Sequence, residues 1–378
     1  MTRAASCSRL AIAVAVVLLA GQAAAAPALA GAPVAAWHAR GGSGPAPSEE
    51  PVQPSLGELV GQKLVIRMDG TTPSAGLLAR IRRGEVGGIV LFGFNITTRT
   101  ELVAVTGSLQ AAAAAGDQPP LLIMVDQEGG GVRRIPWAPP TLSPRQMSAD
   151  GRSSAAREQG KRTGAALAAL GVNVNLAPVV DLPRSRAAFM YWRAFSGSAT
   201  RTSRLANAFA EGVLARGVVP VIKHFPGIGR ATRNTDRNAE TVRATRRSLE
   251  RDLLPFRRAV AAGAPMIMLS NATYTAFDPD NGAGWSSALN DLLRGDLGFT
   301  GVTITDSLTG TSGAYGIPIH DLSARAARSG TDMLMLTGSE PATAKSFDHL
   351  LDQAGSGSIP LATLHASYDR IVTLKSGL

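Results

Sequence analysis

The chain has 378 residues, 45% of them hydrophobic and 17% charged, so it can build a large packed core, and wholesale disorder is excluded. Lys+Arg minus Asp+Glu is 38 − 28 = +10, yet aromatics make up only 5% and the arginines are scattered through segments of helical period. That pattern argues against a nucleic-acid partner and for solvated faces that suit anionic surroundings.

In chain order, Arg3 and Arg9 precede an apolar run from Leu10 to Ala20, and small residues follow from Gly21 to Ala30. Residues 1–30 therefore read as a secretory signal peptide with Ala-x-Ala-type exits near Ala26 or Ala30, and the protein is expected to be secreted. A transmembrane anchor needs about 20 apolar residues. This run is too short for one, so no stable membrane anchor is expected. Loss of Arg3 and Arg9 takes the charge from +10 to +8, and loss of Cys7 removes the only cysteine, excluding disulfides and thiolate metal sites. Residues 31–55, rich in Gly, Pro, Ala and Ser and without a period, read as a flexible linker.

From residue 56 to 378 the pattern is that of one domain of βα units, with short β-branched runs alternating with longer Ala/Leu/Arg segments. Eight runs are counted: Lys63–Met68, Gly88–Phe92, Leu121–Asp126, Val172–Leu182, Val218–His224, Met266–Asn271, Val302–Asp306 and Asp332–Leu336. They recur about every 38 residues, room for a strand, a helix and two loops. Continuous apolar runs fit a parallel sheet covered on both faces, whether open or closed. The polar residues at the run ends, Asp126, Asp181, Lys223 with His224, Asn271 and Asp306, favour closure, because a barrel gathers those ends on one face. The fold expected is an α/β (β/α)8 TIM-type barrel.

Three segments carry chemistry. In 121–131, LLIMVDQEGGG, glycines follow an acidic strand end, where they permit positive φ and close approach of a ligand; Arg133 or Arg134 can reach back to a carboxylate. In 218–229, VVPVIKHFPGIG, Lys223 and His224 close an apolar strand, and His224 is the only histidine at a strand end. A lone histidine there can equally be a satisfied core residue. In 302–308, VTITDSL, Asp306 is placed to be a carboxylate nucleophile or an N-cap for the following helix.

DQEGG followed by Arg134, the NLAPVVD run ending at Asp181, Arg193-Ala194-Phe195, KHFPG at 223–227 and TDSL at 305–308 occur in an order that resembles glycoside hydrolase family 3 over about residues 57–340. The branch most similar is that of the single-domain β-N-acetylglucosaminidases (β-hexosaminidases) that recycle or trim bacterial cell wall. The resemblance implies a (β/α)8 barrel and retention of configuration through a covalent glycosyl-enzyme intermediate on Asp306. It also implies that Asp126, Arg134, Arg193, Lys223 and His224 hold the hydroxyls and N-acetyl group of the sugar, with neither metal nor cofactor.

One stretch departs from the pattern. Where the best-known members follow KHFPG with His-Gly and then Asp-Ser-His, this chain reads KHFPGIGRATRNTDRNAETV, with Ile228 at the first position and Asp236-Arg237-Asn238 at the second. Asn238 cannot release and recover a proton, so Asp236 or Glu240 must serve as acid/base, or nothing does. Two readings stay open: an active hydrolase using Asp236, or a weakened or inactive member that binds wall sugars. A β-glucosidase is a further alternative.

Overall fold

The structure, a computed structural model, describes residues 53–378. The expected signal peptide and residues 31–52 of the expected linker lie outside the described residues.

Eight parallel strands form the sheet: β1 Leu64–Arg67, β2 Gly88–Leu91, β3 Leu122–Val125, β4 Val174–Asn175, β5 Val219–Phe225, β6 Met266–Leu269, β7 Val302–Thr305 and β8 Leu334–Leu336. Neighbours in space follow the chain from β1 to β7, and β8 lies beside β1. Closure between β7 and β8 is made by the Ile304–Met333 bridge, with Met333 N–H donating to Thr303 O at 2.9 Å and Thr305 N–H to Met333 O at 3.0 Å.

Each strand is a short buried apolar run, and its period of two sorts side chains onto two surfaces. Val65, Val90, Met124, Val221, Met268, Ile304 and Met335 fill the barrel. Ile66, Ile89, Leu91, Ile123, Ile222 and Ile267 point the other way, into a second cluster shared with the helices. Those helices include α1 Ala75–Arg82, α2 Arg99–Ala114, α3 Ser153–Ala168, α4 Ala199–Leu214, α5 Arg246–Ala261, α6 Ser287–Asp291, α7 Ile319–Arg328 and α8 Glu340–Gly355. Side-chain oxygens of Ser74, Thr98, Ser198 and Thr245 cap α1, α2, α4 and α5.

Helix α9, Leu361–Lys375, follows and closes the lower end of the barrel. Its Ile371 joins the barrel-filling cluster, and its Arg370 pairs with buried Asp332 at 2.8 Å. Buried Lys63, just before β1, donates to Ser367 of α9 and to the Thr331 carbonyl, both at 2.8 Å. Polar groups at this N-terminal end of the strands are thereby consumed by structure, and the opposite end is free for chemistry. One expected run is much shorter than read: 172–182 forms only β4, with an isolated bridge from Val179 to Lys223. Pro178 lacks an N–H and cannot continue the ladder there.

Candidate active site

Strand phase delivers the first three residues. Asp126 follows Leu122 and Met124, Lys223 follows Val219 and Val221, and Asp306 follows Val302 and Ile304, all barrel-filling positions, so each points into the mouth of the barrel. His224 ought to face outward, but the β5–β6 register shifts between Lys223 and Phe225, and this irregularity turns the imidazole inward as well.

Behind the mouth, buried charges fix one another. Lys223 Nζ lies 2.7 Å from Asp126 Oδ1 and 2.8 Å from Glu128 Oε1, and Glu128 takes a two-pronged bond from Arg193 at 2.6 and 3.0 Å. Arg134 reaches back to Asp126 Oδ2 at 3.2 Å, whereas Arg133 turns to the Pro140 carbonyl. Burial raises the Asp126 and Glu128 carboxyls, but the surrounding cations outweigh it, holding Asp126 well below the usual range and Glu128 at about 2. Burial likewise opposes the charges on Arg193 and Lys223, and the same carboxylates overcome it. The result is a fixed set of donors and acceptors suited to sugar hydroxyls.

Asp181, fully buried behind the site, accepts from Ile228 N–H at 2.7 Å and holds His224 Nδ1 at 2.7 Å. With Nδ1–H directed to Asp181, Nε2 faces the cavity, 3.9 Å from Asp306 Oδ2. Lys223 is engaged by Asp126 and Glu128, and among the described residues the imidazole is the ionisable base within 4.0 Å of Asp306.

The segment after β5 settles which residues share the site with Asp306. Asp236 lines the cavity, its N–H bonded to Asn234 Oδ1 at 2.9 Å and its own buried Oδ1 without a hydrogen-bond partner. Burial, followed by the charge of Asp306, pushes the Asp236 carboxyl up to about 7. Asn238 donates to the Asn234 carbonyl at 2.9 Å and is absent from the cavity lining. Glu240 is paired with Arg233 and is likewise absent from the lining.

The cavity measures about 210 Å³, floored by Leu176, Met268 and Met335 and walled by Phe92, Phe189 and Met190. That is smaller than the roughly 300–1,000 Å³ of pockets for drug-sized ligands and on the scale of a single sugar ring. All seven expected site residues, Asp126, Arg134, Arg193, Lys223, His224, Asp236 and Asp306, line it. Sequence reasoning missed Glu128, which anchors Arg193 and Lys223, and Gln127, whose buried amide donates to the carbonyls of Ile135, Ala138 and Pro139 and so folds the Arg134 loop over the site. The available signal was strand phase, since Glu128 is two residues beyond Asp126. Gly129 and Gly130 adopt φ of 95° and 64° in this loop, as the turn reading expected.

A carboxyl poised between acid and base near neutral pH, beside a second carboxylate in a one-ring cavity, is the equipment of glycoside hydrolysis. The Glycosyl hydrolase family 3 N terminal domain matches residues 55–374: the chain belongs to that family and is a glycosidase. An uncharacterized secreted glycosyl hydrolase of Arthroderma benhamiae is 32% identical over 340 residues, 84% of this chain and 92% of that one. The β-N-acetylhexosaminidase structure from Beutenbergia cavernae superposes with a TM-score of 0.79 at 32% identity, covering 86% of this chain and 99% of that one. A family 3 β-N-acetylglucosaminidase from Paenibacillus sp. gives 0.82 at 31% identity, covering 86% of this chain, which spans 63% of that longer one.

Proposed function

We propose that the protein is a secreted, retaining glycosidase that removes single non-reducing β-linked N-acetylglucosamine residues from cell-wall or chitin-type oligosaccharides, with Asp306 as nucleophile and Asp236 as acid/base. The observation that carries this reading is the Asp236 carboxyl, raised to about 7 within a cavity sized for one ring. The Asp306 carboxylate attacks the anomeric carbon while protonated Asp236 gives its proton to the departing oxygen. Once Asp306 is an ester its charge is gone, one cause of the raised Asp236 pKa disappears, and the carboxylate is ready to take a proton from the incoming water. Asp126, Arg134, Arg193, Lys223 and His224 hold the hydroxyls and N-acetyl group.

The preference for N-acetylglucosamine over glucose is supported by the two N-acetylhexosamine-cleaving neighbours. Secretion is supported by the charged, apolar and small-residue order of residues 1–30 and by the relative described as secreted. The +8 charge remaining after cleavage suits a wall rich in anionic polymers. Binding without turnover is the second reading, motivated by Asn238 at the position of the usual histidine. The mature chain, assayed on aryl β-N-acetylglucosaminide and aryl β-glucoside side by side, is expected to turn over the first at least tenfold faster. Rates at the blank level on both would leave the binder, and a faster glucoside would make it a β-glucosidase.

A further inference from the structure

The acid/base loop rests on the helix that begins beside the nucleophile. Asp306 follows β7, Ser307 comes next, and residues Leu308–Tyr315 form a helix whose first turn, with Leu308 buried, faces the loop that carries Asp236. Gly310 lies in the first turn of that helix. A Cβ added there would overlap the Asp236 carbonyl oxygen, with the carbonyl carbon at 3.3 Å and the Asp236 Cβ at 3.7 Å, so the backbone of the acid residue sits directly on the bare glycine. At the next residue Thr311 Oγ1 meets the Thr235 carbonyl at 3.5 Å, and further along the helix Tyr315 Oη meets the Glu240 carbonyl at the same distance. Asn271, two residues after β6, locks the helix start by donating to Ser307 O at 2.8 Å and Thr311 Oγ1 at 2.6 Å.

We infer that Gly310 is a positioning residue: the absence of a side chain there seats the Asp236 loop against the helix and so fixes the proton donor relative to Asp306. A glycine inside a helix costs about 1 kcal/mol relative to alanine, so nothing in the helix itself calls for it. The close approach of Asp236 does. The inference rests on the acid/base reading of Asp236, and the experiment separates the two.

Gly310→Ala, Asp236→Ala and the parent are compared on a series of aryl β-N-acetylglucosaminides of falling leaving-group ability, each with a pH profile and a thermal melt. Activated groups depart without protonation, and kcat/KM reports the step that expels the leaving group, so in kcat/KM a displaced acid slows only the poor ones. Gly310→Ala is expected to stay folded with a melt below the parent's, because the Asp236 backbone must move, to lose roughly tenfold or more in kcat/KM on the poorest leaving group while changing little on the most activated one, and to shift its alkaline limb to lower pH. Equal losses across the series, or no loss, would overturn the inference. If Gly310→Ala fails to fold, Thr311→Val takes its place, with Thr311→Ser expected to restore the parent's selectivity, and a flat response from Thr311→Val is then the contrary result. An Asp236→Ala variant that itself shows no leaving-group dependence removes the acid reading, whereas dependence in Asp236→Ala without any in Gly310→Ala removes only the seat.

Discussion

Asp236 and Glu128 are both buried carboxyls in one site, and their surroundings drive them in opposite directions. Glu128 has two cations within hydrogen-bonding distance and stays charged; Asp236 has an orphaned oxygen and a like charge nearby and is raised to about 7. The kcat/KM profile should therefore fall as pH rises through about 7, because the proton that the leaving group needs is lost there, and Asp236→Asn should abolish that limb. The same shift sets a stability dependence. The folded pKa lies above the reference 3.8, so the native state holds the extra proton between the two values, and stability is greatest at low pH and lost as pH rises through about 7. Asp236→Asn should accordingly gain stability over the parent from pH 4 to pH 8, on the order of 2 kcal/mol at the upper end, measured by urea denaturation. Glu128→Gln has the contrary effect. It leaves Arg193 and Lys223 short of a buried counter-charge, and a loss of about 3–5 kcal/mol is expected together with a raised KM.

At the scale of elements, the strands were readable because each is a short apolar run ending in a polar residue: Gly88–Phe92, Met266–Asn271 and Val302–Asp306 contain β2, β6 and β7 whole. The strand-end residues of the site were readable for the same reason. What was hidden depends on contacts far apart in sequence. The bond between Asp181 and His224 spans 43 residues, and the hold of Glu128 on Arg193 spans 65, distances over which no local pattern speaks. The inward turn of His224 comes from a register shift in β5 that its apolar sequence does not announce. The role of α9 was also invisible, since its pattern is that of any amphipathic helix, yet it seals the barrel. Ile371→Ala in α9 should cost about 2–5 kcal/mol in chemical denaturation, as for a fully buried side chain removed from a core, while leaving KM unchanged because the site lies at the other end of the strands.

The whole molecule divides its labour between the two ends of the barrel. Below, Asp332, Arg294, Arg370 and α9 tie the strands together; above, the strand ends and the loop after β5 converge on one cavity. The expected leader makes its own prediction: protein collected outside the cell should begin near Ala26 or Ala30, read by N-terminal sequencing, and a mature chain still starting at Met1 would speak against export. The central claim is that Asp306 becomes covalently bonded to the sugar while the neighbouring carboxyl handles the proton. It is tested most directly by incubating the mature protein with a fluorinated N-acetylglucosaminyl donor that forms the intermediate quickly and hydrolyses it slowly, then locating the added mass by peptide mass spectrometry. A glycosyl adduct on the peptide containing Asp306, absent in Asp306→Asn, is the predicted result; an adduct on Asp236 or any other carboxylate, or none from protein that is turning over substrate, would contradict the account.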